Sequence, residues 1–492
     1  MPNIPNYYAR LGLPLDATPE EIRRAYRLAA RRLHPDTREA GETKLFLDVQ
    51  EAYETLSDPH KRMVYDDQLP PEYTTPPAVT ITTLFSRASL PRVSEPQLIY
   101  ALLELSAQPS QEESTTTPVN LALVLDCSTS MQGAAMDTVK ATAIELVRQL
   151  RPNDLFSLIA FSDRAQVLVP AGSQQDHAKI ETAIRMIQPS GATEIFRGLE
   201  AGFSEVRRYR SSKYTNHIIL ITDGRTYGDE AQCMQLAEDA VLHNIGISAL
   251  GIGGQWNDVF LDDLTKHTGG SSMYVAKPRD IRRFLIEKFS GLGQSYAERV
   301  IYDCESGAGV QLRYAFRLQP ETSPLEINPP LQMGNIPRDI SLSVLMEFLV
   351  ESVPPDAASI SLCEGRLTLN IPSRAEPTYT VRLNLSRPTT NEADNEPPPA
   401  AIVQAMSRLT LYRMQERARQ HVAEGNVREA TRRLQNIATH LLSQGNYELA
   451  KTILSEADNL QHTHAFSEEG EKRIKYGTRG LLLPASVEEK PQ

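Results

Sequence analysis

Apolar positions in the first 67 residues recur at helical spacing. Ile22, Tyr26, Ala29 and Leu33 fall at i, i+4, i+7 and i+11, and Phe46, Val49, Tyr53 and Leu56 at i, i+3, i+7 and i+10, so two amphipathic helices are expected to pack as an antiparallel hairpin. Thr18 can cap the first helix, Pro19 suits its first position and Glu21 completes a capping box. Arg23, Arg27 and Arg31 form a stripe on another face of that helix, with Arg24 and Arg32 beside it. Pro35 disfavours helical geometry at His34 and should hold the turn that ends the helix.

Beyond this point the period changes repeatedly. "QLPPEYTTPPA" at 68–78 cannot hold a helix or a central strand and reads as a linker. Residues 79–108 carry two strand-like stretches. From 119 to 294 strands alternate with helical segments: "VNLALVLD", "LFSLIAFS", "HIILITDG", "GISALGIG" and "SSMYVA" are short apolar runs, as strands buried on both faces of a parallel sheet should be. Residues 296–388 return to period 2 in "VQLRYAFRL", "SLSVLMEFLV" and "RLTLNI", which suggests a β-sandwich that 79–108 would complete. A second linker spans 389–399, and 400–461 read as helices with turns at Gly425-Asn426 and Gly445-Asn446. There "EGNVREA" and "QGNYELA" resemble each other, as in a helical-hairpin repeat. Tyr412 and Tyr447 are expected in the core of that region, and 462–492 is expected to be a solvated tail. The fold class is therefore multidomain: an all-α N-terminal domain, an α/β Rossmann-like domain flanked by or inserted in a β-sandwich, and C-terminal α-helical hairpins.

The formal net charge of -11 argues against a general nucleic-acid binder. No run approaches the ~20 apolar residues of a membrane helix, and "MPNIPNYYARLGLP" has no signal-peptide pattern. Cys127, Cys233, Cys304 and Cys363 are far apart, with neither zinc nor disulfide spacing, which fits a cytoplasmic, reducing location.

"YYARLGL", "IRRAYRLAARRLHPD" and "FLDVQEAYETLSDPHKRMVYD" occur in order at close spacing. Together they resemble a J-domain over residues 6–67, with the domain itself assigned to 1–67. The resemblance implies four helices, docking of Arg23, Arg24, Arg27 and Arg31 on the acidic surface of a DnaK-type chaperone, and stimulation of its ATPase by His34, Pro35 and Asp36. Leu33 stands where the family usually has an aromatic residue, and "DTRE" replaces its basic continuation; both bear on affinity and partner choice. Physically, the arginines supply a steering field that reaches about 8 Å at physiological salt.

In the middle domain Asp126, Ser128 and Ser130 follow the first strand in "LVLDCSTSM", Thr193 lies in "PSGATEI" and Asp223 ends the strand "IILITDG". Ligands of open parallel sheets collect at these strand ends. Five hard-oxygen side chains with two carboxylates suit Mg²⁺, with Mn²⁺ or Ca²⁺ as alternatives. The set resembles the metal-ion-dependent adhesion site of a von Willebrand factor type A domain. That resemblance implies hydroxyl ligation by Ser128, Ser130 and Thr193, water-mediated contact from Asp126 and Asp223, and a protein ligand whose acidic side chain completes the shell. Cys127 reads as a small buried side chain. No histidine is placed to serve a hydrolytic metal: His217 precedes a strand, His267 lies near the same far end, and His177 and His243 read as helix-surface residues. No GxxxxGK[ST] motif occurs. The expectation is a non-enzymatic J-domain co-chaperone or adaptor, its linker raising the local concentration of chaperone near a client. The alternative is an assembly or scaffold protein whose type A domain partners an AAA-type ATPase or another complex.

Overall fold

The computed structural model describes residues 7–11, 13, 15, 17–32, 42–67, 78–109, 116–172, 176–226, 228–374, 377–391 and 396–481. His34, Pro35 and Asp36, and the side chain of Arg31, lie outside the described residues.

The first unit comprises α1 (Tyr7–Arg10), α2 (Pro19–Arg32), α3 (Glu42–Leu56) and α4 (Pro59–Asp67). The capping box at the start of α2 forms as its sequence requires: Thr18 N donates to Glu21 Oε2 at 2.7 Å, and Glu21 N donates back to Thr18 Oγ1 at 3.3 Å. Ile22 and Ala25 of α2 bury against Val49, Ala52 and Leu56 of α3, and the Tyr26 and Tyr53 rings stack 4.1 Å apart.

Next come β1 (Val79–Phe85), β2 (Leu90–Pro91) and β3 (Gln97–Ala107). The α/β domain then runs through β4 (Val119–Asp126), α5 (Ala134–Arg148), β5 (Leu155–Phe161), β6 (Ala165–Gly172), α6 (His177–Met186) and α7 (Ile195–Arg208). It continues with β7 (Thr215–Thr222), α8 (Glu230–Leu242), β8 (Gly246–Ile252), α9 (Asp258–His267), β9 (Ser272–Val275) and α10 (Pro278–Gly293). Its sheet has the order β6-β5-β4-β7-β8-β9. Every residue of β4 and β7 is buried, because helices cover both faces. The five strands expected from sequence pair in parallel, and a sixth, β6, which the sequence reading did not mark, pairs antiparallel with β5 at the edge. Its pattern, half exposed, gives no continuous apolar run to read.

After α10 the chain returns to β strands: β10 (Ser295–Ser306), β11 (Val310–Gln319), β12 (Ser323–Pro324), β13 (Leu331–Pro337), β14 (Leu342–Val350), β15 (Ser359–Asn370) and β16 (Thr378–Thr390). One sheet is ordered β1-β3-β14-β11-β12 and the other β13-β10-β15-β16-β2. Ile99, Leu103 and Leu105 of β3 enter the same core as Tyr302, Val344 and Leu367. The α/β domain is thus an insertion in the sandwich between β3 and β10.

The chain ends with α11 (Ala400–Ala423), α12 (Val427–Ser443), α13 (Tyr447–Thr463) and α14 (Glu468–Gly480). Gly425 and Gly445, at φ of 78° and 80°, make the left-handed turns between helices. Ile402, Leu409 and Tyr412 of α11 cover the outer face of the first sandwich sheet at Leu102, Phe316 and Leu345. Tyr447, expected in the core, is exposed.

The solvated tail expected at 462–492 is also corrected. Within it α14 is a docked helix whose inward face carries Lys472, Ile474, Lys475, Thr478 and Arg479. Lys475 Nζ lies 2.5 Å from Asp258 Oδ2 and 2.7 Å from Asp262 Oδ2 on α9. The Tyr476 ring lies over Trp256, 5.9 Å between centroids. A face held by ion pairs reads as polar in the sequence, so hydrophobic patterning could not reveal it.

Candidate metal centre and chaperone-docking face

Asp126 closes β4 and has no exposed surface. Its Oδ1 accepts from the Ser128 backbone N–H at 2.8 Å, and its Oδ2 accepts from the Thr222 hydroxyl at 2.6 Å. The carboxylate is therefore fixed before any ligand arrives. The chain then makes one turn of 3₁₀ helix, Thr129–Met131, anchored by buried Met131. That turn brings the Ser130 and Ser128 hydroxyls within 3.0 Å of each other. Ser130 Oγ in turn donates to Asp223 Oδ1 at 2.7 Å. Four of the five residues expected from sequence are thus joined by consecutive hydrogen bonds, the first of them through the Ser128 backbone N–H.

Thr193 comes from the loop before α7. Ser190 N donates to Cys127 O at 2.7 Å and Thr129 N to Gly191 O at 3.2 Å, tying this loop to the first. Gly224 follows Asp223, and a Cβ there would meet Thr193 Oγ1 at 2.9 Å, so the absent side chain lets the Thr193 loop close on the Asp223 loop. Burial raises the pKa of both Asp126 and Asp223, and repulsion from Asp126 raises Asp223 further. A cation would reverse that balance and favour both charges. Among the described residues no group of three or more His, Cys, Asp or Glu side chains is placed to hold a metal. The donors brought together are two carboxylates and two hydroxyls, with Thr193 on the facing loop beside Gly224, and hard oxygens of this kind suit an octahedral ion. Sequence reasoning missed Thr222, the clamp on Asp126, although it stands directly before Asp223.

Burial pushes the Cys127 thiol up to about 12. His217 lies within β7, not before it. It hydrogen-bonds Ser248 Oγ at 2.9 Å, and burial followed by the nearby Lys288 charge holds its pKa down to about 3. It sits at the far end of the sheet from Asp223. His267 pairs with Glu326 at 3.1 Å. His243, expected on a helix surface, is buried edge-on against Phe203.

On α2, Arg23, Arg24 and Arg27 are exposed. Arg24 reaches Glu305 of the sandwich at 3.3 Å, and Glu21 reaches Arg382 at 2.8 Å.

Comparison with known proteins agrees with this division. Residues 120–287 match the model of the von Willebrand factor type A domain, and residues 6–66 match that of the DnaJ domain. A third model, the Sll0103-like C-terminal alpha-helical domain, matches residues 400–484. The chain carries a J-domain joined to a type A domain.

Among individual proteins, the uncharacterized protein sll0103 of Synechocystis is 26% identical over 393 residues, covering 77% of this chain and 92% of that one. Chaperone protein DnaJ of Streptococcus pyogenes is 51% identical over 65 residues, 13% of this chain and 17% of that chaperone. The chain thus spans between 17% and 22% of the length of the chaperone relatives it matches. A von Willebrand factor type A structure from Catenulispora acidiphila aligns with a TM-score of 0.64 at 15% identity, covering 82% of this chain and 96% of that one. The ArnB paralog VWA2 from Sulfolobus acidocaldarius aligns at 0.55 and 16% identity, covering 83% of this chain and 100% of that one. Both likenesses concern the fold.

Proposed function

We propose that this protein is a J-domain co-chaperone that recruits a DnaK-type chaperone and holds a protein partner through a Mg²⁺-dependent site on its type A domain. The observation that carries the second half is the hydrogen-bonded set Asp126, Ser128, Ser130 and Asp223 at the carboxyl ends of β4 and β7. Ser128, Ser130 and Thr193 would hold the ion through hydroxyls, with Asp126 and Asp223 balancing its charge. The ion would supply an electrophilic centre open to an acidic side chain of the partner. Thr222 keeps Asp126 oriented, and Gly224 lets the Thr193 loop close. The first half rests on "HPD" at 34–36 and the exposed arginines of α2. Cytoplasmic residence is part of the proposal, supported by the four buried free cysteines. No helix among the described residues is long and apolar enough to cross a membrane.

The test is a lysate pull-down with the full chain in Mg²⁺ and in EDTA, beside Asp126→Ala, with single-turnover ATPase assays of a DnaK-type chaperone beside His34→Gln. Partners lost both in EDTA and in Asp126→Ala, with stimulation lost in His34→Gln, support the proposal. An identical partner list in every condition, or a stoichiometric complex with no ATPase stimulation, sinks it in favour of a scaffold role.

A further inference from the structure

At the end of the α/β sheet remote from the metal centre, the type A domain, the sandwich and α14 enclose a cavity of about 820 Å³. That lies within the roughly 300–1,000 Å³ of small-molecule sites, which favour such domain junctions. Most polar groups lining it have partners. Lys288 Nζ donates to both Glu321 oxygens at 2.9 and 2.7 Å. Arg317 donates to the carbonyls of Gly269, Gly270 and Met333.

Glu298 differs. It lines the cavity and is 3% exposed, and its Oε1 has no hydrogen-bond partner in the protein. The Thr215 hydroxyl meets the carboxyl group. The backbone is distorted around this residue. β10 slips register against β13 between Ala297 and Val300, and against β15 between Glu298 and Ile301. Arg299 sits in the slip at φ 49°, a left-handed conformation that non-glycine residues avoid. Bulges re-aim side chains, and strain of this kind clusters at functional sites. An unmet buried acceptor calls for a donor. A ligand hydroxyl would fill the hydrogen bond but would not favour the ionised carboxylate over the protonated form that burial holds. An ammonium both donates to Oε1 and pairs with the carboxylate once its proton has left.

We infer that this cavity is a binding site for a small organic monocation, whose ammonium donates to Glu298 while an apolar body lies along Phe284, Leu292 and Ile340. Burial raises the Glu298 pKa to about 8, so at neutral pH the empty site holds a proton that the incoming cation displaces into solvent.

Isothermal titration of the full chain at pH 7 compares benzylamine with its uncharged analogue benzyl alcohol, and repeats both with Glu298→Gln. The expected result is saturable benzylamine binding at least tenfold tighter than benzyl alcohol, with proton release seen as a dependence on buffer ionisation enthalpy. In Glu298→Gln, shown to be folded by circular dichroism, the difference between the two probes disappears. Equal or absent binding of the two probes to the wild-type chain would overturn the inference and leave Glu298 to a bridging water; this comparison needs no variant. Benzylamine preference surviving in Glu298→Gln would overturn it as well.

Discussion

Arg479 donates to Asp262 at 2.6 Å, although 217 positions separate them in the chain. Burial alone would raise the Asp262 pKa, but Arg479 and Lys475 outweigh it and hold the carboxyl well below the usual range. Breaking one side of a buried pair leaves an uncompensated charge, at a typical cost of about 3–5 kcal/mol. Asp262→Ala should therefore loosen α14 by that order, read as lost hydrogen-exchange protection over 468–480. The pH dependence has a definite sign. A depressed carboxyl contributes stability above its unfolded pKa near 3.8, and that stability is lost as the pH falls through the lower folded value. Protection of α14 should survive at pH 4 and vanish only in stronger acid.

Thr222 touches the proposed ion only through Asp126. Removing an orienting partner of a metal ligand typically weakens metal affinity about 10–100-fold. Thr222→Val should show that loss in a Mn²⁺ titration, and Thr222→Ser should restore affinity. Equal affinity in all three proteins would mean that Asp126 needs no clamp.

Glu298 predicts a slope of stability with pH. Its pKa is raised by burial from 4.5 to about 8, so between those values the folded state binds the extra proton and stability falls as pH rises. Arg299 faces the carboxyl and opposes the shift, His217 is neutral, and Lys288 is paired with Glu321. Glu298→Gln should flatten the thermal-melt profile across that window. An unchanged slope would place the titrating group elsewhere.

The Arg24–Glu305 pair is 63% and 77% exposed at its two side chains. Exposed pairs contribute about 0–1 kcal/mol and are screened by salt. A double-mutant cycle on Arg24→Ala and Glu305→Ala should give a coupling within that range, so this pair does not lock α2 against the sandwich. A larger coupling would make release of α2 a step in chaperone docking.

Much of this architecture was readable before any coordinates. β4 and β7 are buried on both faces and so present unbroken apolar runs, while Ile99, Leu103 and Leu105 alternate because only one face of β3 meets the sandwich core. Of the five candidate donors, Asp126, Ser128, Ser130 and Asp223 end a strand or follow one, while Thr193 lies in the loop between α6 and α7 and was named from its motif alone. What escaped notice was held by charge or by partial exposure. Lys475 and Arg479 look like solvent-facing residues until Asp258 and Asp262 are set opposite them. β6 is a half-exposed edge. Glu298 sits at a bulge, where period-2 alternation fails and its direction cannot be inferred from its neighbours.

The insertion between β3 and β10 also dictates an order of events on the ribosome. Ser106 of β3 meets Ser341 beside β14, 235 positions later. At about 5–20 residues per second, β3 waits roughly 10–50 s after synthesis for its neighbour. Until then Ile99, Leu103 and Leu105 have no sandwich core to enter, and although β1 pairs one side of β3, the side that β14 will take is an open edge exposed to wrong partners. The J-domain is synthesised before all of this, so the module proposed to summon a chaperone is finished while its own chain is the one exposed.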